Sequence, residues 1–121
     1  MNKTLVLLFF SCFFQMAISQ VIYETIESSK LNEIREIKIQ LPRNYDPEGN
    51  ILYPLVVVLD GDYLFEPLVG NVDYHSYWGD MPKSIIVGIN QSKNRNEDLS
   101  FSNTTYFPSD DGGSQFFEFI G

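Results

Sequence analysis

The chain has 121 residues, 44% of them hydrophobic and 15% aromatic, which is the composition of a folded domain rather than of a disordered segment. Its length suits one small domain or a part of a larger one. The formal net charge of -8 argues against nucleic acid as a partner, because phosphate binding needs clustered Lys and Arg.

The first residues have the pattern of a secretory signal peptide. Lys3 precedes an apolar run over residues 5–14, and Ala17 and Ser19 place small side chains where a signal peptidase reads them. We predict a signal peptide over residues 1–19 with cleavage after Ser19, because the apolar run is too short to span a membrane comfortably. The mature chain is then secreted or periplasmic, without stable membrane insertion.

The only cysteine, Cys12, lies inside this segment. A lipoprotein signal would use it as the lipidated residue, but Phe-Phe-Ser-Cys matches such a signal poorly, and further apolar residues follow it. We therefore do not predict a lipoprotein. The mature chain has no cysteine, so it forms no disulfide and depends on its apolar core.

Two segments of the mature chain predict an antiparallel hairpin. Residues 21–28 are rich in β-branched and aromatic types, and the polar sequence SKLNE follows as a turn. Residues 35–42, REIKIQLP, alternate strictly, which predicts a half-exposed strand. The apolar face of this strand carries Ile37, Ile39 and Leu41, and its polar face carries Glu36, Lys38 and Gln40.

A parallel βαβ unit is predicted next. Residues 55–60 and 84–90 are apolar on both faces, which is typical of central strands covered by helices on both sides. Between them we predict a helix over residues 66–78, with Pro67 in its first turn and its end near Gly79. The apolar stripe of this helix is Phe65, Leu68, Val69 and Val72.

The remaining sequence predicts a long loop and a second helix. A polar segment follows Asn90, and a helix is predicted to begin at Ser114 as its N-cap. Its apolar stripe would be Phe116, Phe117 and Ile120. Two buried parallel strands are too few for a covered sheet, so we expect residues 20–121 to be the N-terminal part of a larger α/β domain. The alternative is a complete small α+β protein.

The sequence Asp60-Gly61-Asp62 ends the first buried strand. Ligands of open α/β sheets bind beyond the carboxyl ends of the strands, and Gly61 allows the backbone to turn tightly or to approach a ligand closely. Such a turn can direct free N–H groups at a developing oxyanion. The alternative is an ordinary turn.

Asp60 and Asp62 could also suggest an acid/base pair or a metal site, but a single histidine and no mature cysteine argue against zinc, and calcium needs more oxygen ligands. We predict no metal and no cofactor.

Five segments in order make the chain resemble a known family. They are the opening hairpin, IQLPRNYDP, YPLVVVLDGDYLF, MPKSIIVGIN and the loop NRNEDLSFS, followed by Gly-Gly and FFEFI. This series resembles the start of the esterase family of the α/β-hydrolase superfamily. That family includes esterase D-like enzymes, feruloyl and acetyl-xylan esterases, and siderophore esterases of the enterochelin type. The resemblance covers nearly all of residues 21–121.

The resemblance implies a Ser-His-Asp/Glu triad whose serine lies on a Gly-x-Ser-x-Gly elbow between a strand and a helix. We expect the helix at Ser114 to lead into that elbow, so that the 121 residues end before the triad. Gly112-Gly113-Ser114 has Phe116 where the second glycine of the motif belongs. His75, the only histidine, precedes any nucleophile and is interpreted as structural. The resemblance also implies that Gly61 or Asp62 contributes a backbone N–H to the oxyanion hole.

Four side chains are candidates for the substrate cleft. Arg95 and Asp98 match the loop that follows the second buried strand in the family, and Tyr63 and Trp78 are aromatic. The alternative for Arg95 and Asp98 is an ion pair with each other that pins the long loop. Tyr63 could be pocket wall or core. Trp78, with its neighbours Tyr74 and Tyr77, could stack on a sugar or a phenolic acyl group, or pack under a loop.

The combined prediction is the N-terminal part of a secreted serine carboxylic-ester hydrolase, inactive as these 121 residues and acting on a small-molecule or glycan-linked ester. One alternative is a non-catalytic secreted module that binds a glycan or a peptide. Another is a peptidase or acyltransferase of the same fold, since the fold does not choose the chemistry. The sequence leaves the ester and the oligomeric state open.

Overall fold

The computed structural model describes residues 21–100 and 112–121. The predicted signal peptide, including Cys12, lies outside the described residues. The elements are β1 (Val21–Ser28), β2 (Glu33–Gln40), β3 (Leu55–Leu59), α1 (Gly61–Trp78), β4 (Ile85–Ile89), α2 (Arg95–Asp98) and α3 (Gly112–Ile120). The four strands form one sheet in the order β1-β2-β4-β3.

The predicted hairpin is confirmed. β1 and β2 pair antiparallel along their whole length, with Val21 opposite Gln40 and Ser28 opposite Glu33. The polar turn between them holds Asn32 at a φ of 51°, which asparagine tolerates better than most residues. The Ser28 hydroxyl accepts a hydrogen bond from the N–H of Leu31 at 3.2 Å and closes the turn.

The predicted half-exposed character of β2 is confirmed at Glu36, which is exposed, but it is wrong at Lys38 on the same face, because α1 covers that part of the strand. On the polar face Lys38 is buried under α1, where its ammonium donates a hydrogen bond to Glu66 at 2.7 Å and lies 5.6 Å from the Phe65 ring centroid. On the other face Ile37 packs with Phe116 of α3. An aliphatic lysine stem can lie on an apolar surface when its charge finds a partner, and alternation alone cannot reveal this.

The predicted βαβ unit is also confirmed. β3 and β4 pair in parallel from Leu55 opposite Ile85 to Leu59 opposite Ile89, and α1 connects them. β4 also pairs antiparallel with β2, which places it inside the sheet.

The expectation that β3 is covered on both faces is not met within the described residues. β3 is the edge strand of this sheet, and Leu55 and Val57 are exposed on the face opposite α1. Val56 and Val58 point to the other face and pack against the core under α1. The apolar run of β3 therefore has one covered face and one open face.

Helix α1 begins five residues earlier than residue 66, where its start was predicted, and includes the Gly61-Asp62 sequence that was expected to form a turn. Pro67 is accordingly in the helix interior rather than its first turn, and the Pro67 carbonyl accepts a hydrogen bond from the Asn71 side chain at 2.7 Å. The predicted end is confirmed, since Gly79 adopts a left-handed φ of 82° as the C-cap.

The main core lies between α1 and the sheet. Phe65, Val72 and Ile86 form a buried cluster, and Phe65 has no exposed surface at all. Phe65 lies directly on Gly88, where an added Cβ would be 2.5 Å from the Phe65 Cδ2 atom. The absence of a side chain at Gly88 therefore sets how closely α1 can approach β4.

Helix α3 differs from its prediction in two respects. Ser114 lies inside the helix rather than at its N-cap, because the helical residues already include Gly112 and Gly113. The buried residues of α3 are Gly113 and Phe116, and Phe119 packs against the same core cluster. Phe117 and Ile120 are exposed, so the predicted apolar stripe is confirmed only at Phe116. Gly112 packs against the Glu97 carbonyl of α2, where an added Cβ would lie at 2.6 Å.

We expect the Gly88→Ala substitution to lower the free energy of unfolding by about 1–3 kcal/mol, because the new methyl group would overlap a buried ring that cannot move aside. Gly70→Ala is the matched control. Gly70 is a residue of α1 with nothing within 4 Å of an added Cβ, so alanine should raise the free energy of unfolding by about 0.5–1 kcal/mol. Urea denaturation measures both. Equal stabilities of Gly88→Ala and the wild type would contradict the close packing.

Candidate functional site

The junction between β3 and α1 lies at the carboxyl edge of the parallel pair. Asp60 joins the strand to the helix with a φ of 56° and a ψ of 43°, a left-handed conformation that is uncommon for residues other than glycine. Gly61 is buried against the backbone of β4, and an added Cβ would lie 3.0 Å from the carbonyl carbon of Gly88. Gly61 thus approaches the backbone of β4 closely, whereas its predicted close approach to a ligand stays a prediction, and the left-handed residue is Asp60.

The first backbone N–H groups of α1 face this edge. The N–H groups of Tyr63 and Leu64 donate to the carbonyl of Asp60, at 3.3 and 3.1 Å. The N–H groups of Gly61 and Asp62 precede the first intrahelical bond and have no acceptor among the described residues. Any helix offers such donors, with a partial positive charge, at its N-terminus. Here they coincide with the carboxyl ends of two parallel strands.

The segment after β4 is bound to the same junction by two contacts. The Arg95 side chain donates from Nε to Asp60 Oδ1 and from Nη2 to Asp60 Oδ2, both at 2.7 Å. The N–H of Gln91 donates to Asp62 Oδ2 at 2.9 Å. The hydrogen bond from Arg95 holds the pKa of the Asp60 carboxyl below its usual value, so this group is ionised at neutral pH.

The predicted ion pair between Arg95 and Asp98 is wrong. Asp98 instead accepts two hydrogen bonds from Nη2 of Arg35, at 2.9 and 2.8 Å, and one from the hydroxyl of Ser92 at 2.9 Å. Arg35 also pairs with Glu33 and lies 5.4 Å from the ring centroid of Phe116. Two separate ion pairs therefore bind the loop after β4, one to β2 and one to the start of α1.

Arg35 is the residue that the sequence analysis missed. Its side chain is only 2% exposed, and it anchors α2 to the sheet through Asp98. A signal was present, because Arg35 shares the period-two face of Ile37 and Ile39, which was predicted to be buried. A charge on the apolar face of a strand indicates a buried partner.

The structure gathers only some of the predicted site residues. Gly61, Asp62, Tyr63 and Arg95 lie together at the start of α1, where the Tyr63 ring is exposed and its hydroxyl is 3.5 Å from Asp60. Trp78 is 17 residues further along the same helix, about 25 Å away at 1.5 Å per residue.

The cleft roles of the four candidate side chains stay predictions. Asp98 is buried among its hydrogen-bond partners, and Arg95 is partly exposed beside Tyr63. Phe65, which was favoured as a core residue, is in the core.

The described residues contain no cluster of three or more His, Cys, Asp or Glu side chains able to hold a metal ion. Within the same part of the chain, no helix has the length and apolar character needed to cross a bilayer. Asp60 and Asp62 do not form an acid/base pair with each other, because the Asp60 carboxylate accepts from Arg95 and the Asp62 carboxylate accepts from the Gln91 N–H.

Comparisons with known proteins give the following result. No protein-family model matches the sequence, and no curated protein matches it. A solved structure of an uncharacterised protein from Capnocytophaga ochracea is 39% identical, with a TM-score of 0.69 over 84% of this chain and 27% of that chain. An IroE-like serine hydrolase from Shewanella oneidensis is 31% identical, with a TM-score of 0.69 over 84% of this chain and 35% of its own length.

A third match extends the likeness of fold. The enterobactin esterase FES from Shigella flexneri has a TM-score of 0.62 over 88% of this chain and 24% of its own, at 17% identity. The chain thus spans about a quarter to a third of the length of these structures. The similarities confirm the predicted fold class, the N-terminal part of an α/β-hydrolase, and the predicted resemblance to the esterases of that superfamily.

The pair of Asp60 and Arg95 should make part of the stability depend on pH. A carboxyl whose pKa is lower in the folded state stabilises the fold above its unfolded pKa of about 3.9, and this contribution is lost as the pH falls through the folded pKa. We expect the wild type to melt at a higher temperature than Asp60→Asn by a constant difference above about pH 5. The difference should shrink below about pH 4. A difference that is independent of pH would contradict the prediction.

Breaking the buried pair should cost more than breaking an exposed one. We expect Asp98→Ala to lower the free energy of unfolding by about 3 kcal/mol, because it leaves the charge of Arg35 in the interior with Glu33 as its remaining partner. Asp73→Ala is the matched control, since it removes an equally well-formed pair with Arg43 at the surface. Similar losses in the two variants, measured by urea denaturation, would show that burial does not set the cost.

Proposed function

Because this chain resembles the esterases and serine hydrolases of the α/β-hydrolase superfamily, we propose that it is the N-terminal part of a secreted or periplasmic serine carboxylic-ester hydrolase. The structures that it matches include a serine hydrolase at 31% identity and, by fold alone, an enterobactin esterase. The substrate class we propose is a small-molecule or glycan-linked ester.

The observation that carries the proposal is the junction at Asp60. A parallel strand delivers the start of a helix to the carboxyl edge of the sheet, with the N–H groups of Gly61 and Asp62 free of partners among the described residues. A backbone donor at this position acts on the oxyanion of a tetrahedral intermediate without needing to reorganise. We assign the N–H of Gly61 or Asp62 to that role.

The proposed reaction uses a serine that lies outside these 121 residues. Its hydroxyl oxygen attacks the acyl carbon and loses its proton to a histidine, the alcohol leaves with that proton, and water then hydrolyses the acyl-enzyme. His75 is unsuited to the role of this histidine. It lies 14 residues along α1 from Gly61, about 21 Å away at 1.5 Å per residue, and its Nδ1 is 3.2 Å from Asp80.

One observation favours a second candidate function. Tyr74, Tyr77 and Trp78 are exposed at the far end of α1, and the rings of Tyr77 and Trp78 contact each other edge to face. Exposed aromatic rings of this kind are common in modules that bind glycans or peptides. A module of that type would bind its ligand with no need for a nucleophile.

The test compares the full-length protein with residues 20–121 alone. We expect the full-length protein to hydrolyse aryl acetates and to lose activity when a fluorophosphonate labels one serine, and we expect residues 20–121 to be inactive. Ester hydrolysis by residues 20–121 that a fluorophosphonate abolishes would contradict the absence of the triad. If the full-length protein cleaves peptides but not esters, the proposed esterase function is wrong and the protein is a peptidase.

A further inference from the structure

We propose that Asp60 and Arg95 are positioning residues, which hold the start of α1 so that the N–H groups of Gly61 and Asp62 point to one place. This inference rests on the proposed function, because it assigns a task within the oxyanion site. It differs from the predicted role of Arg95 as a cleft wall, since Arg95 would act through the backbone rather than on the substrate.

Asp60 adopts a left-handed backbone between a strand and a helix. This conformation costs energy for a residue other than glycine, and surrounding contacts can stabilise it. Within the described residues the strongest such contact is the bidentate pair with Arg95, with both distances at 2.7 Å. Two parallel hydrogen bonds fix the direction of the carboxylate as well as its distance.

A separate contact binds Asp62, two residues further along in the first turn of α1, from the same side of the junction. The N–H of Gln91 donates to the carboxylate of Asp62, so the segment after β4 binds two residues of the junction and not one. Gly61 between them rests on the backbone of Gly88 and Ile89. The junction is therefore held from the side of β4 by side chains and by direct backbone packing.

A second bidentate ion pair lies on the same helix, far from its start. Arg43 donates two hydrogen bonds to Asp73, both at 2.6 Å, in the same bidentate arrangement. That pair joins an ordinary helical residue to the loop after β2, far from the start of α1. Arg43 is therefore a matched control for Arg95. Both arginines form a bidentate pair with an aspartate of α1 or its junction, but only Arg95 binds the start of the helix.

The experiment uses the full-length protein with Arg95→Met, Arg95→Lys and Arg43→Met. We expect Arg95→Met to lower kcat for an aryl acetate by about tenfold to a hundredfold and to change KM less than threefold, because a misplaced oxyanion donor weakens the transition state more than the bound substrate. Arg95→Lys should recover part of kcat, and Arg43→Met should leave kcat within about twofold of the wild type.

A second measurement separates this inference from the proposed function. Hydrogen exchange of the Tyr63 and Leu64 amides, which donate to the Asp60 carbonyl, reports whether Arg95 orders the junction, and it needs no activity. We expect faster exchange in Arg95→Met and unchanged exchange in Arg43→Met. If the wild type hydrolyses no ester, the proposed function fails while the exchange data still show whether Arg95 holds the junction.

Two results would overturn the inference. One is an Arg95→Met protein with unchanged kcat and a raised KM, which would make Arg95 a substrate-binding residue. The other is unchanged exchange at the Tyr63 and Leu64 amides in Arg95→Met, which would show that backbone packing alone holds the junction.

Discussion

The close contact between α1 and β4 determines where everything else in this structure can lie. Phe65 rests on Gly88 and Gly61 rests on the backbone of the same strand, so two glycines on opposite sides of the contact allow the helix to approach. Because the contact begins at the first residue of α1, the helix N-terminus is held at the carboxyl edge of the sheet. A bulkier residue at either glycine would displace the helix start together with its N–H groups.

Two ion pairs of buried side chains on β2 orient the helices that pack against the sheet. Arg35 and Lys38 lie on opposite faces of β2, and each is paired with a carboxylate from a different helical element, Asp98 and Glu66. Desolvation makes such pairs a weak source of net stability, but a buried charge tolerates few alternative arrangements. Each pair therefore specifies which helix covers which face of the hairpin. The same strand thus orients both the long helix and the loop that reaches the candidate site.

The sequence allowed the local elements and their order to be predicted, because hairpin alternation, the apolar runs and the glycine after α1 are short-range signals. It did not reveal which charged groups pair. Arg95 and Asp98 are three residues apart and invite a local pair, yet their partners lie 35 and 63 residues away. The start of α1 was also predicted too late, because Pro67 was assigned to the first turn of the helix. The tertiary packing of Phe65 outweighs this local preference of proline.

The residues at positions 60 and 61 meet two different requirements of the junction. Glycine is the residue that accepts a left-handed backbone without strain, but the chain has Asp at the left-handed position and glycine one residue later. The requirement at position 61 is space beside β4, because an added Cβ would lie only 3.0 Å from the Gly88 carbonyl carbon and 3.1 Å from the Ile89 nitrogen. The requirement at position 60 is then a carboxylate, because glycine there would relieve the backbone and leave Arg95 without its partner. Aspartate at this position therefore strains the backbone more than glycine would, but it binds the loop after β4 to the start of the helix.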